Sequence, residues 1–178
     1  MNGKNRKSFD QLYRELLIRQ TSGDETLPKE YDPFHLDCLL HPEKYAPVLQ
    51  IKECEKCAYD QACRNSCIFD AVERTEDGKL KINASLCAGC EACIEACKNG
   101  NLAASKDAIP AMKAVREAKG PVYMMVAPAF MGQFSDRVTP GKLRTAFKAL
   151  GFTGMVEVAL FADILTLKEA LEFDQHVQ

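Results

Sequence analysis

Residues 54–67 read CEKCAYDQACRNSC, and residues 87–97 read CAGCEACIEAC. The first run is Cys54-x2-Cys57-x5-Cys63-x3-Cys67; the second is Cys87-x2-Cys90-x2-Cys93-x3-Cys97. Eight of the nine cysteines fall in this stretch, and none follows it. Cys54 and Cys57 precede Cys87 and Cys90 by 33 residues, whereas Cys63 and Cys67 precede Cys93 and Cys97 by 30. The stretch is an internal duplication, with a three-residue enlargement within Ala58–Ala62 of the first copy. After Cys67 comes IFDAV and after Cys97 comes KNGNL, so Val72 and Leu102 occupy equivalent apolar places. Between the copies, apolar and polar residues alternate around Asp77-Gly78, which signals a hairpin. The expected unit is two cysteine loops, each followed by a short helix, joined by that hairpin.

Composition narrows what such a unit does. The 178 residues are 47% hydrophobic and carry 23 basic against 25 acidic residues, a net charge of −2. That balance gives no general attraction to nucleic acid or to an anionic membrane. The basic start MNGKNRKSFD has no apolar run behind it, so no secretory signal is expected. No apolar stretch reaches the ~18 residues of a bilayer span. The expectation is a cytoplasmic protein with no membrane and no nucleic-acid partner, where clustered cysteines serve as metal ligands rather than disulfides.

Cys-x2-Cys-x2-Cys-x3-Cys is the cluster-binding run of bacterial ferredoxins. Three closely spaced cysteines wrap one face of a cubane, and the fourth ligand comes from the other motif in two-cluster ferredoxins. The assignment that follows is Cys54, Cys57, Cys63 and Cys97 to one [4Fe-4S] cluster. Cys87, Cys90, Cys93 and Cys67 take a second. Crossed ligation brings two clusters close, which suits electron hopping. Paired Cys-x2-Cys also builds four-thiolate zinc sites, but the third and fourth cysteines follow too closely for the usual zinc pattern. Proline, usual after the fourth cysteine of the ferredoxin run, is replaced by Ile68 and Lys98. Lys98 beside Cys97 tends to raise the potential of one cluster.

Upstream, Ser8 reads as an N-cap and Phe9, Leu12, Leu16 and Leu17 predict a helix over 9–20. Thr21–Glu30 reads as a loop. His35, Cys38 and His41 stand three apart in DPFHLDCLLHPEKY, a spacing that could ligate a metal on a helix. The favoured reading has Leu36, Cys38, Leu39 and Leu40 packing, with the histidines capping or facing solvent. Downstream, a helix is predicted around Ile109–Lys119 with Pro110 in its first turn, and a strand over 121–127. Thr139-Pro140 opens a helix with Leu143, Phe147 and Leu150 as its apolar stripe, and Gly151 stops it. MVEVAL at 155–160 reads as a second strand. Leu165–Phe173 reads as a helix with Thr166 as cap and Glu169 at the capping-box spacing. Glu157 is expected at a strand edge, Asp163 as a cap, Lys142 and Arg144 on a solvated face, and Met124, Met125, Met131 and Met155 as core or gap-fillers. Parallel strands this apolar belong in larger sheets, so the segment reads as incomplete. The fold class is an α+β ferredoxin-like dicluster module (51–104) behind a short helical leader (1–50), followed by a partial α/β, βαβα, segment (105–178).

VAPAFMGQF at 126–134, TPGKLRTAFKALGF at 139–152 and MVEVALFADILTLKEALEFD at 155–174 resemble the opening of the catalytic domain of [FeFe]-hydrogenase-like proteins. That family carries a two-cluster ferredoxin module directly upstream, in the order seen here. The resemblance implies reversible proton reduction at a special iron centre in intact members, or a sensory variant of that site. The catalytic cysteines of the family, which begin in a Thr-Ser-Cys-Cys-type run, would lie beyond residue 178, and no cysteine here matches them. The chain reads as truncated before them, and catalysis by it alone is not expected. The leading expectation is an iron–sulfur electron-transfer module whose partner is a ferredoxin-like donor or a hydrogenase catalytic domain. Two rivals remain: a subunit of a split or sensory hydrogenase, and a zinc-stabilised interaction module.

Overall fold

The computed structural model describes residues 6–54, 62–75 and 80–177. It is a mixed α/β protein with short two-stranded sheets and, among the described residues, seven α-helices. The chain divides into two compact units, Met1–Met112 and Lys113–Gln178.

The first unit opens with α1, Phe9–Ser22, as its capping pattern requires. The Ser8 hydroxyl accepts from the Gln11 N–H, the Gln11 side chain accepts from the Ser8 N–H, and Gly23 closes the helix at φ 78°. Phe9, Leu12 and Leu16 form its buried face. In α2, Pro33–Leu40, Asp32 caps the Phe34 N–H and Pro33 sits in the first turn. Cys38 and Leu39 are 0% exposed and join Phe9, Leu12, Leu16, Leu49 and Ile109 in one core. Burial pushes the Cys38 thiol up to about 11, with Asp37 adding to it. Tyr45 donates its hydroxyl hydrogen to Asp37, which holds that carboxyl below its usual range.

Of the two histidines of this stretch, His41 caps and faces solvent as expected, whereas the expected role of His35 needs correction. His35 neither caps nor faces solvent: its Nε2 bonds the Ile51 carbonyl at 2.9 Å, and its ring packs edge-on to Phe9. A carbonyl only accepts, so Nε2 carries the proton. His41 ends α2 through its backbone N–H to Asp37, with its side chain half exposed.

The cysteine region hangs on four strands of three residues each. Strand β1, Val48–Gln50, pairs antiparallel with β4, Leu102–Ala104, in the register Val48↔Ala104 and Gln50↔Leu102. Strands β2, Val72–Arg74, and β3, Leu80–Ile82, form the expected antiparallel ladder. The Asp77-Gly78 turn between them lies outside the described residues. Val72 and Leu102 are both buried in a second core with Val48, Cys63, Leu80 and Cys93. The short helices are α3, Ala62–Asn65, and α4, Ala92–Ala96, and they pack against each other. Each lies within its cysteine motif and carries the third cysteine, rather than following the fourth as expected. The fourth cysteine then closes the turn, its N–H donating to Arg64 in one copy and Ile94 in the other, both at 3.1 Å. Asp70 at φ 50° and Gly100 at φ 60° repeat the same left-handed exit three residues later. The duplication is thus kept in backbone conformation as well as in sequence.

Helix α5, Ala108–Glu117, contains the division between the units. In the second unit, β5 (Tyr123–Val126) and β6 (Gly154–Glu157) pair in parallel, from Tyr123↔Gly154 to Val126↔Glu157. Helix α6, Pro140–Ala149, begins at the Thr139 cap with Pro140 in its first turn. Gly151, at φ 102°, ends it as expected. The second strand is shorter and the last helix longer than predicted. Strand β6 stops at Glu157, where its partner strand also stops, and α7 runs Val158–Val177. Ala159, Leu160, Ala162 and Leu165 after Glu157 are good helix formers, and the segment coils once the ladder offers no further pairing. Thr166 therefore lies in mid-helix, its hydroxyl bonded back to the Ala162 carbonyl at 2.9 Å, and Asp163 caps nothing. Within the described part of this unit, Leu143 and Phe152 alone are buried. Met125 and Met131 are exposed rather than core.

Three outcomes check this packing. Leu39→Ala costs about 2–5 kcal/mol. The Cys38 proton is held more tightly when folded, so its contribution to stability is complete below its ordinary value of 9.0 and is lost as pH rises through about 11. Denaturation at pH 8 and pH 10.5 reads that loss, which Cys38→Ala should reduce; an unchanged pH dependence contradicts it. Gly89→Ala should lower the melting temperature more than Gly100→Ala. Both residues have positive φ, but at Gly89 an added Cβ meets Pro47 Cβ at 3.2 Å, while at Gly100 it meets nothing within 4 Å. Equal losses would contradict this.

Candidate functional site

Two concave sites in the first unit are lined by cysteines. One is lined by Cys67, Cys87, Cys90 and Cys93, with Val48, Val72 and Ile82 as its apolar wall. The other is lined by Cys54, Cys63 and Cys97, with Arg74, Lys98 and Asn101 beside them. Cys57 lies outside the described residues. Each cavity draws one cysteine from the opposite motif: Cys67 stands with the second-motif trio, and Cys97 with Cys54 and Cys63.

Local structure explains this exchange. The third cysteine of each motif sits on a short helix, where it is buried against the other copy, Cys63 and Cys93 sharing one core. The fourth leaves that helix through the turn just described. The second cysteine of the second motif, Cys90, is exposed. Before it, Gly89 takes φ 68°, and after it Glu91 takes φ 65°, so the backbone turns twice around that thiol.

The thiols are not electrostatically alike. Burial pushes Cys93 up to about 11, with neighbouring Cys87 adding to it. Burial likewise raises Cys63, and its proximity to Cys97 and Cys54 adds to that. Asn101 is buried, and its side-chain Nδ2 donates to Cys54 Sγ at 3.1 Å while its backbone N–H donates to Cys97 Sγ at 3.3 Å. Sequence reasoning missed this residue by treating KNGNL only as an apolar cover. The available signal was the mismatch between copies, where Asn101 stands opposite Ala71.

The other residues singled out lie elsewhere. Cys38 is in the first core, and His35 and His41 line neither cavity. Glu157 pairs with Arg144, and Lys142 donates to the Arg137 carbonyl. Asp163 is exposed on α7. Among the described residues no three Cys, His, Asp or Glu side chains converge tightly enough for a single metal ion. The donor set in both cavities is sulfur, the soft ligand type that suits iron–sulfur clusters, zinc and Cu(I). No helix among the described residues is long and apolar enough to cross a membrane.

Comparison with known proteins bears on the second unit and on half of the chain. Residues 120–178 match the family described as iron only hydrogenase large subunit, C-terminal domain. A protein of Nitratidesulfovibrio vulgaris is 31% identical over 90 residues, which is 50% of this chain and 22% of that protein. The matched part thus spans about a fifth of the relative's length. These findings support a hydrogenase-like relationship for this chain, one that implies iron–sulfur cofactors in general.

Proposed function

We propose that this chain is an electron-transfer module holding two [4Fe-4S] clusters within a hydrogenase-like protein. Cys54, Cys57, Cys63 and Cys97 hold one cluster, and Cys67, Cys87, Cys90 and Cys93 hold the other. The observation that carries this reading is the exchange of fourth cysteines between two similar cavities, the arrangement of two-cluster ferredoxins. A cluster supplies reversible one-electron storage when bound. The chain supplies the rest: sulfur ligands, apolar walls that limit water, and N–H donors aimed at the sulfurs.

The partner is a redox protein, either a ferredoxin-like donor or a hydrogenase catalytic scaffold. A feature of the second unit favours the scaffold as acceptor. No residue of α7 is buried, and Leu160, Phe161, Ile164, Leu165, Leu167, Leu171 and Phe173 are each more than half exposed on it. A two-stranded parallel sheet is itself far smaller than such sheets usually are. Both are surfaces suited to cover by further hydrogenase-like scaffold, whichever polypeptide supplies it.

The ligand assignment makes a paired prediction. Cys90→Ser and Cys67→Ser should each remove about half of the iron, and both should erase the same electron paramagnetic resonance signal. Cys63→Ser should erase the other signal. Full iron in Cys90→Ser, or loss of different signals from Cys67→Ser and Cys90→Ser, would contradict the crossed assignment. Because ligation needs thiolates and burial favours the Cys93 thiol, cluster loading should release protons and be weaker at pH 6.5 than at pH 8.5. Loading independent of pH would contradict that.

A further inference from the structure

The two cavities differ in what surrounds the sulfurs. Asn101 is the buried polar residue of the described core, at 8% exposure. It is held in place from outside the cavity: its carbonyl accepts the Ile51 N–H at 2.8 Å and the Lys52 N–H at 3.3 Å, tying it to the end of β1. Its side-chain amide also reaches the Glu53 carbonyl at 3.4 Å. From that fixed position it directs two N–H groups at two different cysteine sulfurs, Cys54 and Cys97. Ala71, which stands at the corresponding place in the other copy, has no side-chain donor.

Charge follows the same division. Among the described residues, Arg74 and Lys98 are the charged residues lining the cavity of Cys54, Cys63 and Cys97, whereas Glu91 is the charged residue lining the other. N–H donors to sulfur and nearby positive charge stabilise the reduced, more negative cluster and raise its potential; a carboxylate does the opposite. Exposure of Cys90 works against this ordering, because water also stabilises added charge. The inferred ordering sets the fixed donors within hydrogen-bond reach of two ligands, and the two cations against one anion among the described residues, above the exposure of one sulfur. Salt weakens the contribution of exposed Lys98 but not that of buried Asn101.

Resting on the two-cluster reading, we infer that Asn101 is a positioning residue that makes the cluster of Cys54, Cys63 and Cys97 the higher-potential one. An electron therefore enters at the Cys67, Cys87, Cys90 and Cys93 site and comes to rest at the Asn101 site. The exchange is one electron, lost by the first cluster and gained by the second, with no bond made or broken; a reduced electron carrier supplies it from outside.

The test is an anaerobic potentiometric titration of the full iron-loaded chain, with dithionite as reductant and paramagnetic resonance as readout. Wild type should show two separate one-electron potentials. Asn101→Ala should lower only the higher, and Glu91→Gln should raise only the lower. Cys90→Ser should keep the higher and lose the lower. The inference is overturned if Asn101→Ala moves neither potential or moves the lower one, or if Cys90→Ser keeps the lower. Should Asn101→Ala fail to hold iron, Glu91→Gln decides: a shift of the higher potential, or of neither, overturns the inference. The underlying reading fails separately, by absence of acid-labile sulfide in wild type before any titration.

Discussion

The sulfur-lined core is the constraint on which the first unit depends. Its strands are three residues long and its two cysteine-bearing helices four and five. Elements this short do not sustain themselves, since helix nucleation alone is costly and isolated hairpins are marginal. What they enclose is a small apolar layer of Val48, Val72, Leu80 and Leu102 with Cys63 and Cys93 among them. Burying thiols favours their protonated form, as the upward shifts of Cys63 and Cys93 express. On the two-cluster reading, iron displaces those protons and joins segments far apart in sequence, Cys54 with Cys97 and Cys67 with Cys93. Binding and folding are then coupled, as they are in other small metal-dependent domains.

The leader is more than an attachment to that core. Helices α1 and α2 build a conventional hydrophobic core around Leu12, Cys38 and Leu39, and Ile109 closes it from the far side of the cysteine region. Strand β1 carries the link onward, with Leu49 in the first core and Val48 in the second. His35 holds the Ile51 carbonyl, Ile51 holds Asn101, and Asn101 holds two cysteine sulfurs. The leader thus supports the site through one short chain of hydrogen bonds.

Much of this was legible in the sequence, and the reasons it was legible are physical. Capping chemistry is local, so Ser8, and Thr139 with Pro140, marked two helix starts correctly. The duplication was legible because the cysteine spacings repeat almost unchanged between the two copies. Placement of α3 and α4 was missed because four or five residues carry no readable periodicity, and the helices sit inside the motif. The end of β6 was missed because an apolar run such as MVEVAL suits a buried strand or a helix equally, and only pairing with β5 decides. Asn101 was missed for a different reason. Its role depends on two sulfurs brought to it by folding, one four residues before it and one 47 away, and no local pattern encodes that. The hydrogenase-like relationship was legible in the second unit from the wording of residues 126–174 and agrees with the family match over 120–178.

The measurement that tests the central claim most directly is iron and acid-labile sulfide per chain, on protein purified without oxygen. Two cubanes require about eight of each. That result would establish the cofactor and leave its potentials to be ordered. Zinc bound without sulfide would contradict the account and leave a zinc-stabilised interaction module in its place.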